Sequence, residues 1–307
     1  MEEVILKAEG IVKTYNGNRV LDDLSMTINR GDIYGFVGEN GSGKTTVIRV
    51  VTGLIKFEAG SYQLFGIDSK NPEVLEARKK ISAIVESPSI YTNMNAKDNL
   101  RMQSMILGIQ DEGRIQWALD IVGLRDLYES NKLAGNFSLG MRQRLGIAMA
   151  LLSQAEFLIL DEPLNGLDPE GIVEVRNLIL KLNKEFGITF LISSHILTEL
   201  SLVATKYGII SKGHLIKEIT EEELKNQCEK YIKIETTDKK AIYDALLSLV
   251  DKENIKEFNN GYIIPGDIEY SSVLSHLQGL PITAINTETT SIEDYYLRII
   301  KGGRENA

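Results

Sequence analysis

Three short runs are apolar with little alternation: Ile81 to Val85, Phe157 to Leu160 and Ile188 to Ile192. Such runs suit strands buried on both faces of a parallel sheet. Further strands are predicted over Val4 to Tyr15, ended by the turn Asn16-Gly17-Asn18, and over Ser25 to Ile28 and Ile33 to Val37. The last runs into a glycine cluster at 38–43, after which a helical pattern starts at Lys44 and reaches Leu54. Helical spacing also marks Pro169 to Lys184 and Leu197 to Ala204, between the apolar runs. Strand and helix therefore alternate, as in an α/β domain. Residues from about 93 to 152 differ in texture. They are rich in Met, Leu, Ala, Gln and Arg at helical spacing, and predict a helical insertion with Trp117 buried in it.

A hairpin is predicted over 206–219, then a charged linking helix from Glu221 to Glu229. Beyond it the order is strand (Tyr231 to Thr236), helix (Lys239 to Val250), two strands around Asn259-Asn260-Gly261, helix (Ser271 to Leu277), strand (Ile282 to Thr287) and a last helix (Ser291 to Ile300). That is the β-α-β-β-α-β order of a ferredoxin-like unit. Two domains follow, 1–222 and 230–307, with the helical insertion at about 87–152.

Composition narrows the classes. The 307 residues are 43% hydrophobic and 25% charged, enough for a sizeable core. Lys plus Arg is 34 and Asp plus Glu is 43, a formal charge of −9, which speaks against a nucleic-acid partner. Cys228 is the only cysteine, so one chain can build neither an internal disulfide nor a thiolate metal cluster, and a reducing compartment fits. Met1-Glu2-Glu3-Val4 places acid where a signal peptide needs base, and no apolar run has the length of a membrane span.

Residues 38–46 read Gly38-Glu39-Asn40-Gly41-Ser42-Gly43-Lys44-Thr45-Thr46. The spacing G-x-x-x-x-G-K-[ST] between a strand and a helix is that of a phosphate cradle. Glycines let backbone N–H groups converge on phosphate oxygens, and the helix start adds its dipole. Lys44 supplies a point charge for the β- and γ-phosphates, and the Thr45 hydroxyl a ligand for Mg²⁺. A chance match in this chain is expected only about 0.02 times. The nearest string to a guanine-reading Asn-Lys-x-Asp element is Asn131-Lys132-Leu133-Ala134, which lacks the Asp.

Asp161 and Glu162 follow the apolar run 157–160, and the carboxyl end of a buried parallel strand faces the ligand crevice. Asp161 is placed to hold Mg²⁺, and Glu162 to polarise the attacking water as a general base. Ser138 is a good N-cap for the helix through Ser153, and its start is suited to an anion. Arg142 and Arg144 either steer nucleotide or solvate that helix. The methionines at 94, 102, 105, 141 and 149 read as packing.

With these elements in order, the chain resembles the ATP-binding cassette (ABC) ATPases over about residues 1–220. The resemblance identifies an A-loop (Tyr15), Walker A (38–46), a Q-loop position (Glu86), the signature (137–141), Walker B (157–162), a D-loop (Leu167-Asp168) and an H-loop (His195). It implies an α/β fold: a P-loop NTPase core with an antiparallel β subdomain and a helical subdomain, here with a small α+β C-terminal domain added. It also implies two ATP molecules held with Mg²⁺ between two head-to-tail cassettes, most simply a homodimer. In that arrangement Tyr15 stacks on adenine, His195 contacts the γ-phosphate, and Ser138 and Gly140 meet the nucleotide of the partner. Two departures stand out: Phe137-Ser138-Leu139-Gly140-Met141 in place of L-S-G-G-Q, and Glu86 in place of the Q-loop Gln.

This pair of departures is similar to cassettes that export bacitracin, lantibiotics and related antimicrobial peptides through a separate permease, at the inner face of the cell membrane. The other reading is a soluble cassette ATPase of translation or DNA repair. One Walker A and an insertion of about 60 residues favour transport over the paired cassettes or long coiled coils of those classes. A small-molecule P-loop kinase leaves the signature and His195 unexplained. The segment from about 230 is expected to regulate or to contact a second copy.

Overall fold

The computed structural model describes residues 3–227, 230–290 and 292–305. Met1, Glu2, Cys228, Glu229 and Ser291, which entered the sequence reading, lie outside them. In the first unit the order is β1 (Val4–Tyr15), β2 (Asn18–Asn29), β3 (Ile33–Val37), α1 (Lys44–Val51), β4 (Ala59–Leu64), β5 (Ile67–Asp68), α2 (Val74–Arg78) and β6 (Ile81–Ile84). Then come α3 (Ala96–Ile106), α4 (Glu112–Ile121), α5 (Leu139–Leu151), β7 (Phe157–Asp161), α6 (Pro169–Phe186), β8 (Thr189–Ser194), α7 (Leu197–Leu200), β9 (Lys206–Ser211) and β10 (His214–Thr220). The chain divides into compact units at Glu221/Glu222, where α8 (Glu221–Gln227) begins.

Among the described residues the first unit holds two sheets. One runs β10-β9-β3-β8-β7-β6, parallel except for β10. Every residue of β7 and β8 is buried, as their apolar runs predict, and so is every residue of β3; the third run, β6, is an edge strand in which only Ile84 is buried. Full burial of Phe157, Leu158, Ile159 and Leu160 is worth about 1.5–3 kcal/mol for each side chain, so the strand that ends in Asp161 is firmly anchored. The other sheet is antiparallel, β2-β1-β4-β5, as the family resemblance implies. Its inner side chains, including Ile5, Leu6, Leu24 and Tyr62, share a core with Val47 and Ile48 of α1 and Phe157 and Ile159 of β7. The phosphate-loop helix is thus packed between both sheets.

Several boundaries differ from the sequence reading. Helix α1 stops at Val51 because Gly53 takes a left-handed φ of 78° just past its end. Helix α7 is one turn, and the chain from Ser201 continues as a turn. Trp117 is 36% exposed and packs edge-to-face on Phe186 at 5.8 Å, so it is a surface aromatic and not a buried one. Met149 is buried, whereas Met105 is largely exposed, so packing does not account for all the methionines.

The second unit contains β11 (Lys230–Thr236), α9 (Lys239–Leu246), β12 (Lys256–Phe258), β13 (Gly261–Pro265), α10 (Tyr270–His276), β14 (Ile282–Thr289) and α11 (Ile292–Glu305). Its sheet order, β12-β13-β11-β14, is antiparallel throughout and is that of a ferredoxin-like unit. Ile232 and Ile234 of β11, Ile264 of β13, Ile242 and Leu246 of α9 and Val273 of α10 form its separate core.

Candidate nucleotide site

The carboxyl ends of β3, β7 and β8 lie side by side, and each delivers a functional segment. From β3 the chain enters the loop 38–43. A Cβ on Gly38 would lie 2.5 Å from the Ile210 carbonyl oxygen, so only glycine lets the loop pass so near β9. Gly43 has φ 114°, and a Cβ there would meet Leu21 at 2.8 Å. Glu39, Asn40 and Gly41 form the exposed lip of the loop. Helix α1 follows its N-cap Gly43 with no side-chain cap and no acid of its own in the first turn, so its first N–H groups and dipole are open to an anion. The Ser42 hydroxyl is buried without a hydrogen-bond partner. These features fit an anionic ligand rich in acceptors, such as a nucleotide's phosphates.

Lys44 is 5% exposed, and its ammonium donates to the carbonyls of Gly38 (2.7 Å) and Glu39 (3.3 Å). It also lies 3.3 Å from Glu162 Oε1. The other carboxylate oxygen of Glu162 is 2.8 Å from His195 Nδ1. Glu162 therefore bridges the phosphate-loop lysine and the residue after β8. It does so from a left-handed φ of 50°, a strained conformation of the kind that clusters at functional sites. The Thr45 hydroxyl donates to Asp161 Oδ2 at 2.8 Å, and Thr46 follows it in the first turn of α1.

Ser193 ties these groups together. Parallel register places it opposite Asp161, and its hydroxyl donates to Asp161 Oδ1 while accepting from the Glu162 N–H at 2.8 Å. The sequence reading did not count Ser193 as a site residue; its only signal was the Ser-Ser pair before His195. Glu199, on α7, feels the charges of this group. Burial holds its carboxyl above the usual range, with Glu162 adding to the shift and His195 opposing it.

A hydroxyl and a carboxylate side by side are hard oxygen donors that suit Mg²⁺, which is commonly held by one or two protein oxygens plus substrate phosphates. No group of three or more His, Cys, Asp or Glu that could hold a metal occurs among the described residues.

Ser138, Gly140 and Asp168 form a second group, at the starts of α5 and α6. Ser138 caps α5 by accepting from the Met141 N–H at 3.1 Å. Asp168 caps α6 by accepting from the Gly171 N–H at 3.1 Å, with Pro169 next. A Cβ on Gly140 would lie 3.5 Å from Gly171 Cα, so the two helix starts nearly touch. Arg142 and Arg144 do more than solvate α5: they donate to the carbonyls of Phe137 and Val122, and Arg144 also pairs with Glu174 at 3.1 Å. Tyr15 ends β1 as an exposed ring with the Lys13 ammonium 5.1 Å from its centroid. Glu86, just past β6, has φ 66° and pairs with Arg49.

Residues 21–165 match the family model described as ABC transporter. The chain is 41% identical over 304 residues to the bacitracin transport ATP-binding protein BcrA of Bacillus licheniformis, covering 97% of this chain and 98% of the relative. It is 39% identical over 214 residues to the lantibiotic transport ATP-binding protein SrtF of Streptococcus pyogenes, covering 70% and 90%. Among solved structures it is similar to cbiO1 from Clostridium perfringens, part of the ABC transporter complex cbiONQ, with TM-score 0.66 and 27% identity, covering 74% of this chain and 92% of that one.

Proposed function

The chain belongs to the ATP-binding subunits of ABC transporters, and on that premise we propose that it powers export of an antimicrobial peptide or similar amphipathic compound through a separate permease. It is an ATPase, the motor subunit of its transporter. The observation that carries the catalytic reading is the convergence of Lys44, Thr45, Asp161, Glu162 and His195 at the carboxyl ends of three adjacent strands. The substrate reading rests on full-length likeness to a bacitracin transport protein, together with Glu86 at the Q-loop position.

In the proposed mechanism the N–H groups of 40–46 and the Lys44 ammonium bind the phosphates of ATP. Thr45 and Asp161 hold Mg²⁺, which when bound neutralises phosphate charge. Glu162 orients the attacking water and takes its proton as the new O–P bond forms and the β–γ bridge bond breaks. His195, held by Glu162, contacts the γ-phosphate and keeps this geometry. Ser193 fixes the backbone between Asp161 and Glu162. Tyr15 stacks on adenine. Ser138 and Gly140 complete the site of a second, identical cassette, and Asp168 lies at the interface where the two sites communicate.

No helix among the described residues is long and apolar enough to cross a membrane. We place the protein at the inner membrane face through its permease. Purifying the tagged native chain from detergent-solubilised membranes tests this: a polytopic membrane protein should co-purify, and deleting the chain should sensitise cells to a cationic or cyclic peptide antibiotic. Recovery only with ribosomes or DNA would support the soluble reading instead.

The unit from 222 onward is proposed to regulate turnover or to contact a second copy. Truncation after Lys225 should leave ATP affinity within about threefold, under about 0.7 kcal/mol. ATPase rate or dimer stability should change. A folded truncation that has lost ATP binding would refute the division of labour.

A further inference from the structure

Resting on the ATPase reading above, we infer that Arg49 is the positioning residue for Glu86, tying the loop after β6 to the far end of the phosphate-loop helix. Helix α1 carries Lys44 and Thr45 in its first turn and Arg49 in its last. The Arg49 guanidinium donates to Glu86 Oε1. Both side chains are substantially exposed, so the pair contributes little to stability, and its consequence is placement. Placement matters here because Glu86 is held at φ 66°, where a non-glycine residue is strained and needs its surroundings to keep it.

Two residues on, Pro88 is seated against α5. A Cβ on Gly146 would lie 2.3 Å from Pro88 Cβ, so only glycine at 146 admits the proline. Helix α5 is the helix capped by Ser138. A contiguous path therefore runs from Lys44 and Thr45, along α1 to Arg49, through Glu86 to Pro88, and along α5 to Ser138. A cavity of about 360 Å³, lined by Leu54, Ser87, Pro88, Gln103 and Met149, flanks the path where the loop meets α5.

The charge at 86 acquires a meaning from this geometry. A carboxylate forms a charge-assisted bond with arginine that a neutral glutamine amide makes more weakly. Glu86 and Arg49 then act as a matched pair: when nucleotide settles on the first turn of α1, the loop moves with the last turn.

The measurement is amide hydrogen exchange of the full chain with and without Mg-ATP, on the Glu162→Gln background so that nucleotide is not consumed. The variants are Arg49→Ala, Arg49→Lys, Arg49→Glu, Glu86→Arg and the double reversal, each checked by thermal unfolding and by ATP affinity. In the parent, ATP is expected to slow exchange in 85–92 by about fivefold or more. Arg49→Ala should lose most of that response while ATP affinity changes less than about threefold. Arg49→Lys should keep part of it, each reversal alone should lose it, and the double reversal should regain at least about half. An arginine that acts apart from Glu86 would not be rescued by the reversal. An intact response in Arg49→Ala, a double reversal no better than its singles, or a parent that binds ATP without responding at 85–92 would each overturn the role of Arg49 alone. A parent that binds no ATP would overturn the ATPase reading and this inference with it.

Discussion

Glu162→Gln is expected to bind ATP with near-native affinity and to turn it over about 10²–10⁴-fold more slowly, the usual contribution of a general base. The amide keeps the shape of the side chain and one oxygen acceptor for His195, which lies 2.8 Å from Glu162 Oε2. It cannot take the proton of the attacking water. It also removes a negative charge 3.3 Å from Lys44, so phosphate binding should be maintained or strengthened. The variant should accumulate as an ATP-bound dimer in sedimentation velocity. Steady-state phosphate release near the wild-type rate, measured with the permease present, would exclude Glu162 as the base.

Lys44→Ala is expected to act one step earlier, on binding. A charge-assisted hydrogen bond contributes about 1.5–3 kcal/mol, so ATP affinity should fall by about 10–150-fold. The Gly38 carbonyl that Lys44 bonds is buried, so the substitution is expected to cost some stability as well as affinity. Titration with a fluorescent ATP analogue, alongside thermal unfolding, separates the two. Unchanged affinity in a folded variant would remove Lys44 from the site.

The parts of this molecule that could be read from sequence are those in which one residue type has one physical use. Gly38 and Gly43 were legible because backbone must pass where no side chain fits, and the spacing to Lys44 repeats that demand. β3, β7 and β8 were legible because burial on both faces confines charged and small hydroxyl residues such as Asp161, Thr189, Ser193 and Ser194 to the strand ends. The segment 59–78 carried no comparable signal. β4 alternates irregularly, β5 has two residues, and both are held by pairing that begins at β1, about fifty residues upstream.

Within the site, Asp161 and Glu162 stood out by following an apolar run. Ser193 did not, because its role arises only when parallel register sets it opposite Asp161. Arg49 looks like any helix-surface arginine until Glu86 is brought to it from 37 residues away. Trp117 was misplaced because an aromatic in a helical stretch is more often inward than on a surface edge, where Phe186 partly covers it.

The central claim is that each catalytic site is built from two copies, with Lys44 and Glu162 from one and Ser138 and Gly140 from the other. Mixing two inactive variants tests it most directly. Lys44→Ala loses the phosphate side, and Ser138→Arg fills the start of α5, where Ser138 caps the helix. In a head-to-tail pair, the mixed dimer has one site with Lys44 and Ser138 both native and one with both lost. Random pairing makes half the dimers mixed, each with one of two sites intact, so an equimolar mixture should regain about a quarter of wild-type ATPase activity. ATPase activity of the mixture no greater than the sum of the two variants measured separately would contradict it.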